Sequence, residues 1–339
     1  MPAIVSNMYN SNRMDLGKEV PLSTPLVIQL EASGFCNLGC RFCPCGDETS
    51  RNLLKQDVMS FELFTSFVEQ CKKFDKPIKV LRIIGIGEPL LNKNIVRYVE
   101  LAKTSGVFEK VEITSNGTLL TKELSDGFID AGLDTLLISL EAIDEKTFFE
   151  ITNRHVDIAQ LKSNLEYFYL RSRSTNVKLY IKTVSNSIRI SEQFLEEYKD
   201  ICDFIYVENI IENWPDFEAG AEQNSVRYDH DAYKKSKKVC VQPFKLLCVC
   251  ANGDVVGCCV DWKREILLGN IVEESITEIW NGEKHVELLE TLLKDTKKEI
   301  CKKCGYTAQN QPDDIDDSVG EILHRLDCKQ KTTNINIRK

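Results

Sequence analysis

Residues 26–45 read LVIQLEASGFCNLGCRFCPC. Positions 26–31 form a short apolar run that gives way to Ser33-Gly34, the pattern of a strand passing into a loop. That loop carries Cys36, Cys40 and Cys43 in the spacing Cys-x3-Cys-x2-Cys. Thiolates are the ligands an iron–sulfur cluster needs, and one short loop can wrap three of them round a cubane while the fourth iron stays open. A zinc site is the other reading of the same spacing.

Working outward, this strand is the first of a series. Apolar strand-like runs follow at 78–85, 110–115, 135–140, 177–184 and 203–207, and helix-period runs lie between them at 60–74, 94–105, 122–131, 158–171 and 191–201. Six β/α units in series imply right-handed crossovers and a parallel sheet with helices on its outer face. Six are fewer than the eight of a closed barrel, so the expected fold is α/β, a partial (β/α)6 barrel with its site at the carboxyl ends of the strands. The expected organisation is an irregular arm over 1–24, the barrel over 25–210, a linker over 211–235, a small domain over 236–310 and a mobile acidic tail over 311–339. The small domain is cysteine-rich, and its LLCVC and VVGCCVD runs flank Asn252-Gly253, a strong signal for a tight hairpin turn.

The 339 residues allow a sizeable core, and 42% apolar with 28% charged residues excludes a disordered or fibrous chain. A net charge of −9 repels phosphate backbones, so nucleic acid is not the expected partner. No stretch approaches 18 uninterrupted apolar residues, and the amino terminus lacks the basic start and apolar run of a secretory signal. The sequence therefore predicts a cytoplasmic chain with no membrane partner. In such a reducing compartment 14 cysteines point to metal ligation or redox chemistry. His155, His230, His285 and His324 are scattered and carry no metal signature.

Over residues 25–305 the sequence resembles the radical SAM superfamily, enzymes that use S-adenosylmethionine (SAM). The family motif behind strand one is Cys-x3-Cys-x-aromatic-Cys; Phe42 fills the aromatic place, which the resemblance sets near the adenine of SAM. Gly85-Ile86-Gly87-Glu88-Pro89 is similar to the family's Gly-Gly-Glu-Pro segment, whose backbone and acidic side chain receive the methionine ammonium. Glycines let a backbone approach a ligand closely, and a carboxylate suits an ammonium. Thr114-Ser115-Asn116-Gly117 and Ser139-Leu140-Glu141 resemble the Thr-Asn-Gly and Ser-Leu-Asp segments, with Glu141 standing where the family has Asp. By the same resemblance Asn116 and Ser139 hydrogen-bond ribose or carboxylate oxygens. Arg154 and Lys182 are candidates to hold the SAM carboxylate by charge-assisted bonds; each is equally readable as a surface or structural cation.

Cys240, Cys258, Cys301 and Cys304, with Gly253 five positions before Cys258, look like the SPASM or shorter twitch extension of these enzymes. The segments Leu268-Gly269-Asn270 and Glu278-Ile279-Trp280 belong to the same resemblance. A full two-cluster SPASM domain has further cysteines soon after its Cys-x2-Cys, and residues 305–327 contain none, so one auxiliary 4Fe-4S cluster is expected, two clusters in all. Structural zinc on the same four thiols is the alternative. Neighbours on a strand face opposite ways, so one of Cys258 and Cys259 faces the cluster, and the spacing favours Cys258. Cys71 and Cys202 read as small buried hydrophobes. Cys45, Cys248 and Cys250 are candidate hydrogen-atom donors.

The resemblance implies one-electron reduction of SAM, release of a 5′-deoxyadenosyl radical and hydrogen abstraction from an unactivated C–H bond, with a flavodoxin or ferredoxin as electron donor. The auxiliary cluster implies either an acceptor for the substrate's electron or a structural support. Peptide-modifying relatives often carry a recognition domain ahead of the barrel, for which a 24-residue arm is too short. The expected substrate is thus a small polar metabolite, a sugar, cyclitol or nucleotide-linked sugar, undergoing dehydrogenation or epimerisation. Radical modification of a peptide or protein, and a non-catalytic iron–sulfur or zinc scaffold, are the alternatives.

Overall fold

The computed structural model describes residues 3–4, 13–184, 188–208, 214–217, 237–304 and 313–337. Ten strands form one sheet: β1 (Ala3–Ile4), β2 (Val27–Leu30), β3 (Ile78–Ile83), β4 (Phe108–Ser115), β5 (Thr135–Ser139), β6 (Lys178–Val184), β7 (Phe204–Glu208), β8 (Leu246–Val249), β9 (Asp254–Val256) and β10 (Leu267–Asn270). Their order is β1-β7-β6-β5-β4-β3-β2-β8-β9-β10. Every pair from β1 to β8 is parallel; β8–β9 and β9–β10 are antiparallel. β2 to β7 are the six strands expected from the sequence, in sequential order. Their runs are short and apolar because both faces of a parallel sheet are covered: Ile28, Leu30, Leu81, Ile83, Leu136, Ile138, Leu179 and Ile181 are fully buried.

Helices Phe61–Cys71, Ile95–Thr104, Lys122–Asp130, Ile158–Ser172 and Ile188–Tyr198 fill the crossovers. Ser60, Thr121 and Asp157 cap three of them by accepting from the backbone N–H three residues on, as small polar N-caps do. One crossover helix, Glu145–Thr152, has no counterpart in the sequence reading; Asp144 caps it and Asn153, at φ 53°, ends it.

Three observations bear on the ends and boundaries. First, the cysteine-rich region is joined to the barrel through the sheet. Val27, Ile28, Gln29 and Leu30 of β2 pair with Leu246, Leu247, Cys248 and Val249 of β8, so the barrel sheet runs on into the hairpin, and one hydrophobic core extends from Leu16 to Leu326. Second, part of the supposed arm is packed: helix Leu16–Glu19 buries Leu16, and Val20 is fully buried. Third, the supposed mobile tail contains the helix Val319–Ile337, which buries Ile322 and Leu326, while Arg325 donates to the carbonyls of Gly17 and Lys18. The acidic run that suggested mobility is engaged: the Asp313 carboxylate takes both Arg13 and Lys245, and Asp316 accepts from the backbone N–H of Lys238 and Val239. Most of the expected 211–235 linker lies outside the described residues. Among the described residues no helix is long and apolar enough to cross a membrane.

Candidate active site

The cysteine loop leaves β2 and is held from several sides. Gly39 and Arg41 donate backbone N–H groups to the carbonyls of Thr152 and Ile151, at 2.8 and 2.9 Å. Leu38 and Cys40 pack on Ala142, Phe148 and Ile158. The helix that sequence reasoning missed is therefore the wall against which the loop is built. Arg51 donates to the Cys45 carbonyl, and Gly46 has no room for a side chain, since a Cβ there would overlap the Cys40 carbonyl.

Cys36, Cys40 and Cys43 line one cavity of about 270 Å3 at the carboxyl ends of the strands. With them stand Phe42, Gly85, Gly87, Glu88, Asn116, Ser139 and Lys182, all expected from the sequence, and Glu141, Glu208 and Trp214. Gly87 lies so close under the cysteine strand's exit that a Cβ would overlap the carbonyls of Ser33 and Phe35. The Glu88 N–H donates to Phe35 O at 2.7 Å, completing that contact.

Two residues differ from expectation. The Glu88 side chain is turned into the protein: it accepts from Leu90 N at 2.9 Å, Ser115 Oγ at 2.7 Å and Asn116 N at 2.9 Å, and is 3% exposed. It braces the second βα loop against the third. Arg154 does not reach the cavity; beyond the left-handed Asn153 the chain turns outward, and the exposed guanidinium bonds the Asn153 carbonyl. Lys182 does face the cavity, already paired with Glu208 at 2.5 Å. Asn116 Nδ2 donates to Asn37 Oδ1 at 3.0 Å, tying the third βα loop to the cysteine loop. Burial pushes the Glu141 carboxyl up to about 7, against the pull of Lys182 and with the push of Glu208.

Cys240, Cys258, Cys301 and Cys304 line a second void, of about 30 Å3, walled by Pro215, Pro243, Leu288, Leu292 and Ile300. Cys258 is thus the member of the Cys258-Cys259 pair on the side of the other three, as the spacing favoured. The turn that presents it has Gly253 at φ 89°.

Among the described residues no three His, Cys, Asp or Glu side chains stand close enough together to hold one ion. Each thiol set lines a void, and thiols are the donors an iron–sulfur cluster takes. Burial pushes Cys36 and Cys301 up to about 12 and Cys40 and Cys258 well above the usual thiol range, with the Cys259 hydrogen bond the larger cause at Cys258. Cys43 is lowered, chiefly by a bond from the Cys45 thiol. Dry thiols of this kind ionise when iron supplies the missing positive charge. The donor sets fit iron–sulfur clusters.

Between the two lies a third, small pocket of about 40 Å3 lined by Gln29, Glu31, Ile84, Gly85, Ile86, Cys248, Cys250, Cys258, Cys259, Asp261 and Arg264. It touches the first cavity at residues 84–86 and the second void at Cys258 and Asp261. Cys248 and Cys250 are here because alternate residues of a strand share a face; Cys45 instead is buried with its sulfur against Ile86 O at 3.4 Å. Glu31 and Arg264 were missed in the sequence because nothing local marks two residues 233 apart as a pair.

Residues 30–205 match the Radical SAM superfamily, and residues 240–305 match an iron–sulfur cluster-binding domain, SPASM. The chain belongs to the radical SAM superfamily and carries a C-terminal SPASM domain, so its cofactors are 4Fe-4S clusters and SAM. More particular likenesses are partial. The chain is 30% identical to the GTP 3',8-cyclase of Staphylococcus epidermidis over 144 residues, 41% of each chain. It is 37% identical to the GTP 3',8-cyclase of Thermodesulfovibrio yellowstonii over 118 residues, 34% of this chain and 35% of that one. It thus spans about two fifths of the length of these curated relatives. Among solved structures it resembles BtrN in complex with AdoMet and 2-DOIA (TM-score 0.53, 17% identity, 83% of this chain and 92% of that). It also resembles Streptococcus suis SuiB bound to S-adenosylmethionine (0.61, 18%, 86% and 73%) and anSMEcpe with bound AdoMet (0.58, 15%, 92% and 95%). At such identities the likeness is one of fold.

Proposed function

We propose that the chain is a radical SAM oxidoreductase or epimerase acting on a small polar metabolite, a sugar, cyclitol or nucleotide-linked sugar. In this reading Cys36, Cys40 and Cys43 hold one 4Fe-4S cluster, and Cys240, Cys258, Cys301 and Cys304 hold an auxiliary one. SAM occupies the larger cavity, with Phe42 beside its adenine, the 85–87 backbone and Ser139 near its polar groups and Lys182 near its carboxylate. Bound there, cluster and SAM supply a 5′-deoxyadenosyl radical that removes hydrogen from carbon. The chain's own task is positioning: Glu88 and Asn116 fix the loops around the cavity, and the apolar Phe42, Leu38 and Trp214 keep water from the reacting atoms.

The observation that supports a small polar substrate is the larger cavity of about 270 Å3, with Glu141, Lys182 and Glu208 on its wall, groups suited to hydroxyls or amines. The pocket between the two thiol sets, at about 40 Å3, is an extension of that cavity too small to hold a substrate itself. Cys248 and Cys250, kept as thiols by burial, stand there as candidate hydrogen donors for an epimerisation. A flavodoxin or ferredoxin in the cytoplasm supplies the electron. The test is anaerobic reconstitution with iron and sulfide, followed by SAM, dithionite and deuterated candidate sugars. About eight irons per chain, 5′-deoxyadenosine, and deuterium in it from one sugar class support the proposal. Deoxyadenosine formed only with a peptide present would replace it by peptide modification, and no SAM cleavage at full iron content would replace it by a scaffold.

A further inference from the structure

Glu31 sits one residue beyond β2, 8% exposed, where the first βα loop begins. Its Oε1 accepts from Arg264 Nη2 at 3.0 Å and from Ala251 N at 3.3 Å, and the Ile86 N–H also bonds its carboxylate. Its methylenes fill the space that a side chain on Gly85 would need, since a Cβ there would lie 2.7 Å from Glu31 Cγ. Glu31 is therefore the surface on which the 85–87 turn of the larger cavity rests.

Arg264 comes from the far side, the turn between β9 and β10. Its fork spans three segments: Nη1 donates to Asn252 Oδ1 at 2.9 Å and Asp254 Oδ2 at 3.1 Å, and Nη2 to Glu31 and to the Lys55 carbonyl at 3.3 Å. Its backbone takes φ 59°, a left-handed conformation that non-glycine residues adopt where the surroundings impose it. Arg264 N–H donates to Asp261 O, and the Asp261 carboxylate accepts from the N–H of Glu265 and Ile266, so the turn from Cys258 to Ile266 holds the arginine in place. Arg264 is the cation facing Glu31, with Asp57 the opposing charge.

We infer that Arg264 is a positioning residue for the SAM cavity, acting through Glu31 so that the auxiliary segment sets the shape of the 85–87 turn. The inference rests on the reading that the larger cavity takes SAM. Without the guanidinium, the buried carboxylate loses its counter-charge and leaves Ile86 and Gly85 without a fixed support. A coupling of this kind shifts ligand affinity several-fold to a hundredfold.

The test is calorimetric titration of anaerobically reconstituted protein with S-adenosylhomocysteine, which is not cleaved. Arg264→Met and Glu31→Gln are each expected to weaken it roughly tenfold at unchanged iron content, and the double variant no further than the weaker single. Arg264→Lys restores part of the loss, because a point charge reaches Glu31 but cannot span Asp254 as well. A residue with a merely structural role would lower Tm and leave the affinity of the folded fraction unchanged. Binding within twofold of wild type in Glu31→Gln and Arg264→Lys, at wild-type iron content, overturns the inference even if Arg264→Met fails to fold. Absence of binding by the wild type overturns the reading of the cavity, and the inference with it.

Discussion

Glu88 offers a direct contest between two roles for one carboxylate. If it braces the loops, as its contacts in the structure indicate, Glu88→Gln is costly before any ligand arrives. The carboxylate accepts three hydrogen bonds, two on Oε1 and one on Oε2. Glutamine keeps one acceptor oxygen and sets an NH2 against either the Asn116 N–H or the Leu90 N–H and Ser115 hydroxyl. At least one buried donor is left facing a donor, which costs about 2 kcal/mol. For a chain of this size that is a drop in Tm of about 3 °C. The assay is thermal unfolding under argon without SAM, paired with titration by S-adenosylhomocysteine. A Tm within about 1 °C of wild type together with a large loss of affinity would refute the bracing role, and would mean that the carboxylate is spent on the ligand's ammonium instead.

Other expectations concern the loops, the acid range, the tail and the second thiol set. Gly46→Ala should cut iron uptake at the first site, since its methyl meets the Cys40 carbonyl; iron and sulfide per chain after reconstitution measure this, and full loading would count against it. Asp254, although burial raises it, is held down to about 2 by bonds from Asn252, Lys55 and Asn270. A carboxyl lowered from its unfolded value of 3.8 stabilises the fold above that pH and loses the effect as pH falls toward 2. In Asp254→Asn the unfolding free energy of the metal-free chain should therefore fall less steeply between pH 4 and pH 2, by about 1 kcal/mol after screening by solvent; identical slopes would contradict this. Ile322→Ala should destabilise by about 3 kcal/mol, because the side chain is fully buried in the shared core; a urea midpoint unchanged by the substitution would show the final helix to be dispensable. Cys301→Ala should halve the iron content and leave deoxyadenosine formation measurable, and a full loss of cleavage would tie the two thiol sets more tightly than their separate voids suggest.

What was legible in the sequence was what neighbours in the chain decide. The six central strands were placed to within about two residues because parallel strands need short apolar runs whatever their partners. The cysteine sets were legible because their spacing is set within one loop, and Cys258 because Gly253 fixes the turn before it. Helix Glu145–Thr152 escaped notice, being eight residues long with few apolar positions, although Asp144 and Asn153 carried capping signals at its ends. The final helix hid behind its acidic preface, although Val319, Ile322 and Leu326 repeat at helical spacing. Glu88 and Glu31 depended on partners from distant segments: Ser115 and Asn116 for one, Arg264 for the other. For Glu88 the chemistry could be named from the sequence but not the direction of its side chain, and for Glu31 nothing local marked either.

The pairing of β2 with β8 also bears on how the chain is made. Val27 meets Leu246 across the sheet, so 219 residues must be synthesised after Val27 before that edge of β2 is covered. At about 5–20 residues per second, that edge waits roughly 10–45 s on the ribosome, with its unpaired backbone and the three thiols behind it open to other strands and to stray metal. Insertion of iron before β8 arrives would meet only half of the final support for the loop. Cluster assembly in this protein is therefore expected to follow release of the complete chain.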